Sequence, residues 1–157
     1  MTPGVLHSPI SAADVARTRM PVERASLLPP RAFHDPDVLA FEQAAWFSRE
    51  WLCVGREEDV ARPGDYLVAT IADQSVIVVR GEDESLRAFH NVCRHRGSTL
   101  CPDERGRVVR FQCPYHAWTY ELDGRLRRAP HTDVLVDFAG SRPCRGVAGV
   151  RVPDARR

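Results

Sequence analysis

Two segments of the chain pair a thiol with an imidazole at short range. The run His90 to Gly97 (HNVCRHRG) places Cys93 two positions before His95, and Phe111 to Tyr120 (FQCPYHAWTY) places Cys113 three positions before His116. Thiolates and imidazoles bind both zinc and iron, so the residue types alone leave the metal open. The spacing is more informative. A Cys2His2 zinc finger usually groups its cysteines in one half and its histidines in the other, on a helix. Here each half carries one of each, and seventeen residues separate His95 from Cys113. A mixed pair on each of two loops suits a two-metal cluster, in which each loop gives one sulfur to one metal and one nitrogen to the other.

Ligation of that kind is found in the Rieske [2Fe–2S] centre, where two histidines replace two cysteines on one iron. The segments CRHRG and CPYHAW resemble the two cluster-binding boxes of Rieske proteins. The resemblance implies that Cys93, His95, Cys113 and His116 hold the cluster, with both imidazoles serving as ligands and as ports for electrons. A structural zinc module stays open as an alternative. Cys53 is expected in the core near a helix end, and Cys101 and Cys144 as incidental thiols in a loop and a tail. His7, His34, His90 and His131 read as ordinary polar residues.

Respiratory Rieske proteins carry an extra cysteine in each box, forming a bracing disulfide, and a serine that donates to a bridging sulfur. The matching positions here are Ser98, Tyr115 and Trp118. With fewer donors to its sulfurs, the centre is expected toward the low end of the Rieske range, roughly −150 to +300 mV. The flanks FSREWLCVGREEDVARPGDYLV, VIVVRGEDESLRAFHNVCRHRG and CPYHAWTYELDGRLRRAP resemble the N-terminal portion of the α subunits of ring-hydroxylating and related Rieske oxygenases. That resemblance runs from about Leu28 to Pro130, and it departs at Ala117, where glycine is common.

The resemblance implies a single-electron carrier, an oxidoreductase component, fed by a ferredoxin or flavin reductase and delivering to a catalytic oxygenase domain or subunit. Arg94 and Arg96 are candidates for docking an acidic donor, while Tyr115 and Trp118 are expected to shield the cluster. Family members continue into a domain whose mononuclear Fe(II) is held by two histidines and a carboxylate. No histidine follows His131 here, so that iron is not expected in this chain, which by itself carries no catalytic residue. We read the chain as a truncated gene product, ahead of a free-standing Rieske-type ferredoxin. Whether it is itself an enzyme stays open.

The elements that must present these residues follow from local pattern. Residues 1–33 are rich in Pro, Ser, Ala and Arg without a sustained period, which predicts a partly disordered arm. Across 34–52, Asp35 can cap a helix, Pro36 suits its first position, and Ala40, Ala44, Phe47 and Trp51 share one stripe. Residues 53–138 form the expected Rieske domain. Its strands are predicted at Tyr66 to Ile71, Ser75 to Arg80, Leu86 to His90, Val108 to Gln112 and Ala117 to Leu122, with Asp123-Gly124 as a hairpin turn. The fold class is therefore all-β, a small antiparallel sandwich or barrel with two cluster-binding loops, preceded by one helix. Residues 139–157 show neither alternation nor helical period and read as an irregular tail.

Composition narrows the partners. With 43% hydrophobic and 27% charged residues among 157, the chain matches a single globular domain. Its 22 basic residues, all arginine, balance 21 acidic ones, leaving no footprint for nucleic acid. No apolar run predicts a membrane span and no secretory segment opens the chain, so a cytoplasmic location is expected. Five cysteines at irregular spacing argue for a metal or free thiols over a disulfide framework.

Overall fold

Alternating apolar side chains along two neighbouring segments set up the larger of two sheets. Strands β1 (Asp65–Ile71) and β2 (Gln74–Arg80) pair antiparallel, with Val68 opposite Ile77 and Tyr66 opposite Val79. The period of two sends Ile77 and Val79 to one face and Val76 and Val78 to the other. β3 (Leu86–His90) lies against β2, while β4 (Arg105–Arg107) flanks β1 on the opposite side. The smaller sheet comprises β5 (Phe111–Gln112), β6 (Thr119–Tyr120) and β7 (Leu126–Arg128). A last strand, β8 (Gly149–Val150), completes the larger sheet in the order β4-β1-β2-β3-β8.

This computed structural model describes residues 6–130, 132, 147 and 149–152. The chain divides into two compact units, Met1–Leu52 and Cys53–Arg157. Among the described residues all strands belong to the second, and every pairing is antiparallel. The predicted all-β class is therefore the observed one, as two open sheets and not a closed barrel. Among the described residues no helix is long and apolar enough to cross a membrane.

The main core joins the two sheets. Ile77, Val79 and Phe89 from the larger one pack with Phe111 and Tyr120 from the smaller, and with Cys93, Cys113 and Trp118 from the loops. Each such fully buried side chain contributes about 1.5–3 kcal/mol. The opposite face of the larger sheet is covered by Val60, the end of a 3-10 turn at Glu57–Val60. Arg80, 8% exposed, ties that turn down through Val60 O (2.9 Å) and Glu57 Oε1 (2.9 Å), and also donates to Glu84 O (2.8 Å) in the β2–β3 connection. At the β6–β7 turn Gly124 has φ +87°, and a Cβ there would stand 2.5 Å from the Phe89 ring. The hairpin therefore needs glycine for conformation and for space.

Two predicted boundaries differ from what the structure has, and the arm carries local order. Among the described residues of 1–33, α1 (Ala12–Thr18) is capped by the Ser11 hydroxyl, which accepts the Asp14 N–H at 3.1 Å, and Pro30–Phe33 forms a 3-10 turn. The helix over 34–52 is shorter. α2 (Pro36–Glu42) starts at Pro36 with Asp35 capping, but Gln43–Phe47 is a π turn, and Trp51 lies beyond it, exposed. The Ser48 hydroxyl donates to Ala44 O (3.1 Å) and its N–H to Gln43 O (3.1 Å), which widens the last turn and breaks the stripe. Finally, the tail over 139–157 contributes β8, paired with Ala88 and Phe89 of β3. Cys144 and His131 lie outside the described residues.

Candidate metal centre

The two loops that carry the Cys/His pairs share one backbone pattern. In the first, Cys93 N–H donates to Ser98 O (2.7 Å) and Gly97 N–H to Cys93 O (2.9 Å). In the second, Cys113 N–H donates to Trp118 O (2.8 Å) and Ala117 N–H to Cys113 O (3.0 Å). Each loop thus closes over five residues, with a left-handed residue four positions after its cysteine: Gly97 at φ +75° and Ala117 at φ +54°. Alanine adopts at Ala117 the conformation for which glycine is usual, so the loop keeps its shape at some cost in strain.

These turns bring the four residues together. Cys93 and Cys113 are 1% and 2% exposed and share the main core. Each thiol acts on the ionisation of the other. The rings of His95 and His116 meet edge to face, with centroids 4.7 Å apart. Trp118 stacks on His95 at 4.7 Å with planes 5° apart, and Tyr115 leans over His116 at 3.8 Å. Both imidazoles keep a buried Nδ1 with no protein hydrogen-bond partner. An orphaned buried nitrogen costs about 1–3 kcal/mol. Two of them beside two buried sulfurs are what a cluster with mixed ligation would satisfy, so the residues present fit such a group.

Electrostatics around the pairs is uneven. Burial raises the Cys93 thiol, partly opposed by its contact with Tyr120. Burial also acts against ionisation of Cys113, but the N–H groups of His116 and Tyr115, with help from Cys93 and Ser98, bring it below its ordinary value. Backbone donors aimed at a sulfur favour the thiolate, the form that binds metal. Desolvation, then His116 and Arg96, lowers His95, which favours the neutral imidazole.

Two residues that the sequence reading did not single out complete the site. Tyr120 is fully buried, and its hydroxyl stands 3.2 Å from Cys93 Sγ while accepting the Arg94 N–H at 3.2 Å. Burial, reinforced by Cys93, holds the phenol well above its ordinary range, so it stays protonated. Asn91, 5% exposed and at the start of the first loop, bonds across to the loop's far end at Leu100 and Cys101. The other cysteines stay outside the site. Cys101 is a buried core residue and not an incidental loop thiol; burial, countered in part by Tyr66, pushes it up to about 11. Cys53 is exposed, where a core position was expected. Among the described residues no group of three or more His, Cys, Asp or Glu side chains is arranged around a single metal ion. A two-iron cluster requires no such group, since each iron takes two protein ligands.

The Rieske [2Fe–2S] domain family matches residues 50–139, more than half of the chain. The chain belongs to that family. A Rieske domain binds a [2Fe–2S] cluster and transfers electrons, and here it is of the kind found in oxygenase α subunits. The glycine betaine monooxygenase oxygenase subunit of Chromohalobacter salexigens is 47% identical over 123 residues, covering 77% of this chain and 28% of that one. The benzene 1,2-dioxygenase subunit alpha of Pseudomonas putida is 38% identical over 109 residues, covering 69% and 24%. Among solved structures, the apo form of a quaternary ammonium Rieske monooxygenase superposes with a TM-score of 0.74 at 33% identity, covering 82% of this chain and 37% of that one. The naphthalene 1,2-dioxygenase of Rhodococcus sp. superposes with a TM-score of 0.70 at 31% identity, covering 78% and 28%. The chain thus spans about a quarter of the length of these curated relatives, 28% and 24%.

Proposed function

We propose that Cys93, His95, Cys113 and His116 hold the [2Fe–2S] cluster, the cysteines on one iron and the histidines on the other, as part of the electron path of a Rieske oxygenase. The observation that carries this reading is the pair of buried, unpartnered Nδ1 atoms beside two buried thiols. When bound, the cluster takes up and releases single electrons, and its two neutral imidazoles make uptake easier than four thiolates would.

The chain's own residues set the conditions for that transfer. Trp118 covers one face of His95 and keeps water from it, while the Tyr120 hydroxyl stands 3.2 Å from Cys93 Sγ. Tyr115, 63% exposed, and His116 lie on the outward side of the second loop. Arg94 and Arg96 are exposed beside the first histidine and suit an acidic electron donor, a ferredoxin or a flavin reductase. The acceptor in this proposal is a catalytic domain holding a mononuclear Fe(II) site. The 47% identity to a glycine betaine monooxygenase subunit, against 38% to a benzene dioxygenase subunit, favours an oxygenase acting on a quaternary ammonium compound over one acting on an aromatic ring.

Iron and acid-labile sulfide are to be measured on the purified chain, together with its electron paramagnetic resonance spectrum after dithionite reduction. Two irons and two sulfides per chain, with a signal of low average g, are expected. Zinc without sulfide would overturn the proposal and leave a structural module.

A further inference from the structure

The second ligand loop is held at its base by main chain. Phe111 pairs with Tyr120 and Gln112 with Thr119, so β5 and β6 bring the loop's ends together as a hairpin does. The first loop has no such ladder. It leaves β3 at His90, but the next strand, β4, pairs with β1 on the far side of the larger sheet. Its two ends meet through one side chain. Asn91 Oδ1 accepts the N–H groups of Leu100 (3.1 Å) and Cys101 (2.8 Å). Its Nδ2 donates to Cys101 O (2.7 Å) and to Ser75 Oγ (3.2 Å), and its backbone N–H donates to Ser75 O (2.8 Å).

Every donor and acceptor site of the amide is in use, which no other side chain of that size could reproduce. Aspartate would accept but not donate, and leucine would do neither. Leu100 and Cys101 are 5% and 4% exposed, so water has no access to replace the lost partners.

We infer that Asn91 is the positioning residue of the first ligand loop: it stands in for the missing strand ladder and fixes where Cys93 and His95 face the second loop. The inference rests on the ligand assignment proposed above. Asn91 touches neither the thiol nor the imidazole; it acts through the loop that carries both.

The test uses the purified 157-residue chain without removal of metal, as wild type, Asn91→Leu, Asn91→Asp and His95→Ala. Amide hydrogen exchange is followed at Leu100 and Cys101, with Val78 and Val79 in the β2 ladder as internal reference. Iron and sulfide content and g-values are recorded on the same samples. Asn91→Leu is expected to speed exchange at Leu100 and Cys101 roughly tenfold while the ladder amides stay slow. Its cluster content should fall by about half or more, with shifted or broadened g-values in what remains. Asn91→Asp, which keeps the acceptors, should fall between. Unchanged loop exchange in Asn91→Leu would overturn the inference, as would equal acceleration in loop and ladder. Failure of both Asn91 variants to fold would also overturn it, since Asn91 would then serve the whole fold and not this loop. His95→Ala separates the two claims: wild-type g-values in that variant would sink the ligand assignment, whereas the exchange result bears on Asn91 alone.

Discussion

The loop after β3 and the loop between β5 and β6 have matching hydrogen bonds around their cysteines, yet they reach that shape by different means. One hangs from a side chain, Asn91, and uses glycine at its left-handed position; the other is clasped by a strand ladder and tolerates alanine there. The difference teaches that the geometry of such a Cys/His turn is local, while its placement depends on whatever closes its base. A ladder does this with groups every residue has. A side-chain closure depends on one amide.

The largest effects should strike both loops alike. Cys93→Ser and Cys113→Ser each remove a buried sulfur, and either one is expected to abolish cluster assembly, measured as iron and sulfide per chain. Cys101→Ser, at an equally buried thiol outside the site, should leave the spectrum of the reduced protein unchanged. Equal losses at all three positions would mean that the cysteines have been wrongly assigned.

Exchanging the ligand type sharpens the comparison. His95→Cys or His116→Cys adds a negative charge to one loop, and the potential should fall toward the about −400 mV of plant-type all-cysteine ferredoxins. Similar falls for both would show that the loops present equivalent ligands; a variant that assembles a cluster at the wild-type potential would remove its histidine from the set. Redox titration followed by absorbance decides between these outcomes.

An asymmetric effect is expected next. Tyr120 lies on the second loop's β6 but bonds to the cysteine of the first. Because its oxygen already accepts the Arg94 N–H, its own proton is free to point at Cys93 Sγ. A donor to a ligand sulfur stabilises the more negative, reduced state. Tyr120→Phe should therefore lower the potential by about 40 mV, the equivalent of one net hydrogen bond near 1 kcal/mol. A potential that stays put or rises would mean that this hydroxyl does not donate to the sulfur.

How much of this was legible in the sequence depended on whether a residue's partner lies nearby along the chain. The strands Asp65–Ile71, Gln74–Arg80 and Leu86–His90 fall close to their predicted bounds, because alternation records a two-sided sheet. β4, an Arg-Gly-Arg segment with all three residues exposed, carries no such signal, and the strand expected over Val108 to Gln112 is confined to Phe111–Gln112. β8 was hidden for a different reason: two residues, Gly149 and Val150, are recruited by an edge some sixty positions away. The Cys/His spacing indicated which residues to watch and what chemistry to expect of them. It was silent on Tyr120 and Asn91, an ordinary strand tyrosine and an ordinary turn asparagine until Cys93 and Cys101 come to rest beside them. The overextended helix failed through the opposite error, since Ala40, Ala44 and Phe47 keep helical spacing through a turn whose backbone has already widened.

The smallest effects test the left-handed positions directly. Ala117 at φ +54° carries a strain of about 1–2 kcal/mol that glycine would not, against about 0.4–1 kcal/mol for glycine's extra freedom in the unfolded chain. Ala117→Gly should therefore stabilise the protein by about 0.5–1 kcal/mol, or roughly 1–4 °C in melting temperature for a chain of this size. Gly97→Ala is the mirror experiment. A Cβ there would meet nothing within 4 Å, so no clash adds to the conformational term, and a loss of similar size is expected. Calorimetry of the pair distinguishes shared geometry from coincidence. If the two loops are the same turn, the two substitutions must move the melting temperature in opposite directions by comparable amounts. Shifts of the same sign would show that one loop relaxes out of the left-handed conformation, and that closure at its base, by amide or by ladder, does not hold the turn in shape.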